Sequence, residues 1–232
     1  MIGKNDFERR RKLLAKKLMK EGILRSERCI NAFLRVPREK FVWKGYEKDA
    51  YYDSPLPLGS TGQTISAPHM CAYLIEELEL KPGDVVLEIG GGSGYQAALI
   101  AECVAPSDED PSKWGHVYTI EINRELAEFA KKNLEETGYG NRVDVILGDG
   151  SLGYPPLEEK ERYDKILLTA AAPKIPSPLI KQLKKGGILI APVGRGFFQD
   201  LIKIIKTGEG DIEEKYLIKV AFVPLRGAYG WK

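Results

Sequence analysis

Residues 85–101 read VVLEIGGGSGYQAALIA, a short β-branched run that passes through a glycine-spaced turn directly into an alanine-rich helix. Few segments constrain a fold so tightly. The run Val85, Val86, Leu87 and Ile89 has the length and continuity of a strand covered on both faces. Gly90, Gly92 and Gly94 let the backbone turn sharply and approach a ligand, and a helix from Tyr95 onward offers unpaired N–H groups in its first turn. Such a turn is a cradle for a nucleoside-containing cofactor.

Downstream of the turn the chain alternates strand and helix. Strands are expected at 117–122, 143–147, 163–169 and 188–193, and helices at 124–137 (capped by Asn123, ended by Gly138) and 175–183, the pattern of a parallel sheet with helices on both faces. Beyond residue 193 the pattern changes to two strands, 201–207 and 215–223, around Gly208-Glu209-Gly210-Asp211, a hairpin signal. The fold class expected is therefore α/β, Rossmann-like and doubly wound, mostly parallel, with a C-terminal antiparallel hairpin and an N-terminal helical appendage. The appendage comprises a helix at 6–21 closed by Gly22, one at 27–35 begun by Ser26, and one from Ala67 to about Leu80 stopped by Lys81-Pro82-Gly83. Residues 1–80 are expected to pack on a core formed by 81–232 as one compact domain. Two irregular stretches stand out. Residues 53–69 (DSPLPLGSTGQTISAPH) are too long for a plain connector, and residues 106–115 (PSDEDPSKWG) look like a surface insertion.

Charge narrows the partners. Thirty-five basic and thirty-three acidic residues leave a net charge of +2, no field for gathering nucleic acid or an anionic membrane. The basic cluster of Arg9, Arg10, Arg11, Lys12, Lys16 and Lys17 alternates with Phe7, Leu14 and Leu18 at helical spacing, so it is expected to be the solvated face of an amphipathic helix. The three cysteines, Cys29, Cys71 and Cys103, are widely spread, giving neither a disulfide framework nor a zinc site. With no long apolar run, the expected location is the cytoplasm. Four glutamines and five asparagines beside 29% charged residues lean towards a thermophilic source.

Residues at strand ends decide the chemistry of an open α/β sheet. Glu121, ending the second strand, can accept hydrogen bonds from both hydroxyls of a ribose; Ile122 comes directly after it. Asp149, between two glycines at the end of the third, is either an Asp-Gly turn or an acceptor for an adenine amino group, with the Gly150 N–H beside it. Ser66, followed by Ala-Pro, reads equally well as a helix N-cap or as a functional hydroxyl. His69 and His116 are the only histidines, in no metal-ligand spacing. A dinucleotide fingerprint would need glycine at Tyr95, although a G-x-G-x-x-A frame exists at Gly92, Gly94 and Ala97. The E-x-G-x-G-x-G frame from Glu88 to Gly94 instead resembles the first motif of class I S-adenosylmethionine methyltransferases.

A wider resemblance rests on VPREKF (36–41), SPLPLG (54–59), GQTISAPHM (62–70), VLEIGGGSGYQAALIA (86–101), VYTIE (117–121), GDG (148–150), YDKILLTAAAPKIP (163–176), LKKGGILIAPVG (183–194) and FVPL (222–225). In this order they resemble the protein-L-isoaspartate (D-aspartate) O-methyltransferase family across nearly the whole chain. The resemblance implies transfer of a methyl group from S-adenosylmethionine to the free carboxylate of isoaspartyl residues in proteins and peptides, leaving S-adenosylhomocysteine. The resulting ester closes to a succinimide, whose hydrolysis returns some normal aspartate. It makes Ser66 the active-site serine, with Thr64 and His69 on the substrate side. It places Leu58, Gly59, Glu88, Gly90, Gly92, Gly94, Glu121, Ile122, Asp149 and Gly150 around the cofactor, with no metal, nucleic acid or membrane involved. A carboxylate acceptor with a reference pKa of roughly 4 is already ionised at neutral pH and needs no general base. An RNA or small-molecule acceptor, or a cofactor-binding adaptor without catalysis, are the competing expectations, since fold does not fix substrate.

Overall fold

The computed structural model describes residues 4–231. Its main sheet has seven strands: β3 (Val85–Ile89), β4 (His116–Glu121), β5 (Val143–Leu147), β6 (Tyr163–Leu168), β7 (Leu183–Val193), β8 (Gln199–Lys206) and β9 (Ile212–Val220). A two-stranded ribbon, β1 (Leu56–Pro57) with β2 (Thr64–Ile65), precedes them. The order is β5-β4-β3-β6-β7-β8-β9, parallel from β5 through β7 and antiparallel for β7–β8 and β8–β9. The chain leaves β3 first towards β4 and later returns to β6 on its other side. The end of β3 is thus a topological switch point, where an open sheet leaves a crevice.

Side-chain alternation splits the core into two layers, as the two-residue period of a strand requires. Val86, Leu167, Ile188 and Ile190 face one buried cluster, and Leu87, Ile89, Ile166, Leu168 and Leu189 the other. The first cluster also contains Leu14 and Leu18 of α1 (Lys4–Lys20), Ala32 and Phe33 of α2 (Glu27–Arg35) and Leu74 and Ile75 of α3 (Pro68–Glu77). Between them and the sheet lies α4 (Tyr95–Val104), every residue of which is buried. A largely apolar helix belongs in such an interior position, and its one charge, Glu102, is paired with Arg35 and Arg142.

Most expected elements are present with shifted ends. Ser26 caps α2 by accepting the Cys29 N–H, and Asn123 caps α5 (Arg124–Glu136) through the N–H groups of Glu125 and Leu126. On α1, Arg9 and Arg10 pair with Asp6, and Lys12 with Glu8, as a solvated face does, but Arg11 departs from that expectation, its Nε and Nη1 being buried. Helix α3 ends at Glu77, three residues earlier than expected, and Glu79 takes a left-handed φ of 53°. Helix α6 (Ser177–Gln182) is shorter than expected because β7 starts at Leu183, whose partner is Tyr163. Strand β9 stops at Val220, not at 223, because the chain leaves the sheet there: Gln199 Oε1 accepts the Phe222 N–H, and Ala171 exchanges hydrogen bonds with Val223 and Leu225.

The insertion at 106–115 is tied down. Arg35 donates to both carboxylate oxygens of Asp108 at 2.6 Å and to Glu102 at 2.9 Å, and the Trp114 indole donates to the Pro106 carbonyl at 2.9 Å.

Candidate active site

Three cavities lie end to end along the carboxyl edges of the parallel strands. One of about 340 Å³ is lined by Gly90, Glu121, Ile122, Asn123, Gly148, Gly150 and segments 61–63 and 223–226. A constriction of about 50 Å³ runs over Gly90, Gly91, Gly92 and Ser93 to Thr64, Ser66, Thr169 and Ala170. It opens into a cleft of about 780 Å³ bordered by Thr64, Ser66, Ala67, His69, Thr169, Trp231 and the loop 194–199. Val223 borders all three.

The glycine turn is shaped from below. A Cβ on Gly90, whose φ is 99°, would stand 2.4 Å from Thr169 Oγ1, and one on Gly91 would stand 2.7 Å from Thr119 Oγ1. Gly92 differs: with φ of 53°, its nearest neighbour would be Leu58 Cδ1 at 3.6 Å, so its upper side faces the constriction. Gly94 takes a left-handed conformation as N-cap of α4. These positive φ values are open to glycine at little cost and strain other residues.

Glu121 is 2% exposed yet borders the first cavity. Its Oε2 accepts the Gly92 N–H and its Oε1 the Asn123 N–H, each at 2.9 Å. Each oxygen keeps a second lone pair, which is what a vicinal diol requires. Gly150 sits on the floor of the cavity, where a Cβ would come within 2.7 Å of Ile89 Cγ2, and Ile122, 44% exposed, forms an apolar wall. The ensemble fits an adenosyl group: a carboxylate for the ribose, backbone N–H and an apolar wall for the base, and a glycine floor leading towards Ser66.

Five residues expected at the cofactor lie behind the lining. Glu88 is wholly buried beneath the turn, where its Oε2 accepts the Thr119 hydroxyl at 2.5 Å and its Oε1 meets no protein partner. Burial pushes its carboxyl up to about 8, which favours the protonated form at neutral pH. Leu58 supports Gly92 from below, and Gly59, with φ of 60°, turns the loop against the Trp43 ring. Gly94 packs on Leu134. The Asp149 carboxylate is engaged by other groups: Oδ1 accepts from the Ser151 N–H and hydroxyl, and Oδ2 from the Ala228 N–H at 2.7 Å. The positions they yield fall to Thr61, Gly62, Gln63, Ala170 and 223–226, most of them within the resemblance segments 62–70, 163–176 and 222–225 but none named there as a site residue.

Ser66 is not a helix cap. Ala67 holds that position, without a side-chain bond, and Pro68 is the first helical residue. The capping work falls to Asp53, whose Oδ1 accepts the His69 N–H at 2.9 Å and faces His69 Nδ1 at 2.8 Å. Burial opposes charge on Asp53, but the two bonds from His69 outweigh it and hold its carboxyl below the usual range. Ser66 therefore stands at the mouth of the constriction with its hydroxyl unneeded by the helix, and Thr64 and His69 share its cleft. His116 is remote, paired with Asp144 at 3.1 Å. Among the described residues no group of three or more His, Cys, Asp or Glu is placed to hold a metal.

Comparison with known proteins agrees with this geometry. The sequence profile of the protein-L-isoaspartate (D-aspartate) O-methyltransferases matches residues 8–229. A protein-L-isoaspartate O-methyltransferase of Hyperthermus butylicus is 55% identical over 226 residues, 97% of this chain and 92% of that one. Among solved structures, one protein-L-isoaspartate O-methyltransferase superposes with a TM-score of 0.81 at 32% identity, covering 95% of this chain and 67% of that one. Another, from Plasmodium falciparum and crystallised with S-adenosyl-L-homocysteine, gives 0.78 at 28% identity, covering 93% and 98%. The chain belongs to the protein-L-isoaspartate (D-aspartate) O-methyltransferase family.

Proposed function

We propose that this protein methylates the free carboxylate of L-isoaspartyl residues in damaged proteins and peptides, the step that opens their repair through a succinimide. The row of cavities from Glu121 past the glycine turn to Ser66 carries this reading, because a small neck cavity of about 50 Å³ over the turn shares lining residues with both the nucleoside-sized cavity and the acceptor cleft. Bound in the first cavity, S-adenosylmethionine supplies an electrophilic methyl group on a cationic sulfur. Glu121 holds the ribose, the Gly150 N–H and Ile122 the adenine, and Gly90 and Gly92 the methionine portion.

The protein's own part is positioning. Attack by a carboxylate on a sulfonium methyl merges opposite charges in the transition state, so a dry, narrow neck favours it, and alignment supplies acceleration without proton transfer. Ser66 donates a hydrogen bond that points the acceptor carboxylate down the neck, flanked by Thr64 and His69. The only histidine in the cleft is tied to Asp53, in keeping with a reaction that needs no general base. Among the described residues no helix is long and apolar enough to cross a membrane. Cytoplasmic residence and isoaspartyl polypeptides as sole partners complete the proposal.

Incubation with S-adenosylmethionine labelled in the methyl group, and with an isoaspartyl peptide beside its aspartyl twin, tests it. Label should enter the first peptide alone. Label in neither, or equally in both, overturns the assignment.

A further inference from the structure

One buried charge stands directly behind the acceptor cleft. Arg38, in the 3-10 turn Arg38–Lys40, is 0% exposed and heads the largest fully buried side chains of the described residues. Its Nε donates to the Ala50 carbonyl and its Nη2 to the Ser66 carbonyl, both at 2.8 Å, and its guanidinium lies 4.9 Å over the Tyr95 ring. Nη1 meets no protein acceptor.

A guanidinium this deep ordinarily brings a carboxylate with it, because its desolvation must be offset. Arg38 makes no ion pair among the described residues. The adjacent Glu39 carboxylate is taken by the Tyr51 hydroxyl at 2.5 Å. Arg11, which acts on the same Tyr95 and Tyr51 rings, adds a second positive charge whose buried Nε and Nη1 also lack protein partners. The region behind Ser66 thus holds two guanidiniums, each with unpartnered buried N–H groups, against the single carboxylate of Glu39.

Arg38 reaches the cleft through one peptide group. The Ser66 carbonyl that it holds, shared with the Cys71 thiol at 3.6 Å, belongs to the same plane as the Ala67 N–H. That N–H donates to no backbone acceptor, and Ala67 borders the cleft beside Ser66. A cation on the carbonyl side of an amide withdraws electron density and strengthens the N–H on the other side as a donor, since hydrogen-bonded groups polarise one another in series.

Resting on the isoaspartyl reading above, we infer that Arg38 is a positioning residue for the acceptor. It fixes the Ser66–Ala67 peptide as a carboxylate cradle, and its charge finds its counter-charge when the acceptor carboxylate binds there. The anionic group of the substrate would thus complete an ion pair at long range that the protein alone does not make.

The test compares charge with shape. With S-adenosylhomocysteine present, calorimetry measures the dissociation constants of an isoaspartyl peptide and of the same peptide with that carboxylate converted to the carboxamide. In Arg38→Met the carboxylate peptide should lose tenfold or more in affinity and the carboxamide peptide less than threefold. Affinity for S-adenosylhomocysteine should change less than twofold. Arg38→Lys keeps the charge but not the fork, so it should keep the carboxylate preference while weakening both peptides. Equal losses for the two peptides in Arg38→Met make Arg38 a structural brace and overturn the inference, as does unchanged carboxylate affinity. Should Arg38→Met fail to fold, the lysine variant decides: loss of the carboxylate preference with charge retained, or unchanged affinity for both peptides, overturns it. Failure of the wild-type enzyme to methylate any isoaspartyl peptide would instead indict the functional reading.

Discussion

The two ends of the passage are built by different means. The cofactor end is made where consecutive elements meet: β3 runs through the glycine turn into α4, and β4 ends in Glu121, which reaches back to Gly92. The acceptor end is assembled from loops at 53–69, 194–199 and 221–224, with Thr169 and Trp231, brought together only by the sheet order. The first is held by backbone hydrogen bonds and buried carboxyls, so a fault in it should remove cofactor binding. The second is held by side chains on loops, so a fault there should spare the cofactor and remove the acceptor.

Gly92→Val should break the cofactor end most severely. The φ of 53° excludes a β-branched residue, and the added methyls project into the constriction. Affinity for S-adenosylhomocysteine should fall by about a hundredfold or more, roughly 2.7 kcal/mol. Calorimetry on a folded variant that still bound the ligand tightly would dissolve the distinction between the two ends.

Ser66→Asp should do the converse. A carboxylate set against the acceptor carboxylate should cut methylation by about a hundredfold, with Ser66→Ala nearer tenfold, while cofactor affinity stays within about threefold. Because Ala67, not Ser66, is the N-cap, Ser66→Ala should leave the melting temperature unchanged, where loss of a cap would cost about 1 kcal/mol. A lowered melting point with full turnover would return Ser66 to the helix.

Glu88 tests the foundation under the cofactor end through pH. Its folded-state pKa, raised by burial to about 8 from 4.5, means the native state holds a proton that the unfolded chain has released over that interval. The stabilising difference is complete below the unfolded value and is lost as pH rises towards 8, at up to about 1.4 kcal/mol per pH unit. Wild-type stability should therefore decline by about 2 kcal/mol between pH 6 and 8, and Glu88→Gln should flatten that slope. Identical pH profiles from denaturant titration would show that Glu88 is ionised in the folded protein.

Glu121→Gln offers the mildest change. It keeps the outline of the side chain, but its NH2 replaces an oxygen that accepted the Gly92 or Asn123 N–H, so one backbone bond is lost with the charge. The change is worth about 1.5 kcal/mol at the ribose contact and hence roughly tenfold or more in S-adenosylhomocysteine affinity. An unchanged affinity would move the ribose elsewhere in the cavity.

Legibility in the sequence divides along the same line. Val85–Ile89, the turn after it, and the place of Glu121 and Gly150 beside the first cavity are legible because they depend on neighbours within a few residues. The sequence leaves Asp149 open between a turn residue and an acceptor, and it hides the partner of Oδ2, Ala228, which lies 79 positions away. Ser66 is left open between a cap and a functional hydroxyl by the local sequence, because the residue that supplies the cap, Asp53, sits 16 positions before its partner His69. Thr61 lies outside every segment that carries the family resemblance, while Thr169 and Val223 lie within two of them, 163–176 and 222–225, without a role of their own, since only the sheet order brings them to the cavities. The insertion at 106–115 declares its place between α4 and β4 by its composition, while its anchor, Arg35, lies 73 residues from Asp108.

Val223, which borders all three cavities, gives the enzyme a thermodynamic property beyond its geometry. A single residue cannot yield to a guest in one chamber and present the same wall to the next. Whatever factor an occupied nucleoside chamber applies to acceptor affinity through that wall, an occupied acceptor cleft must return to nucleoside affinity, because the binding free energies close a cycle. Tight acceptor binding and tight binding of the spent nucleoside would then be two faces of one quantity.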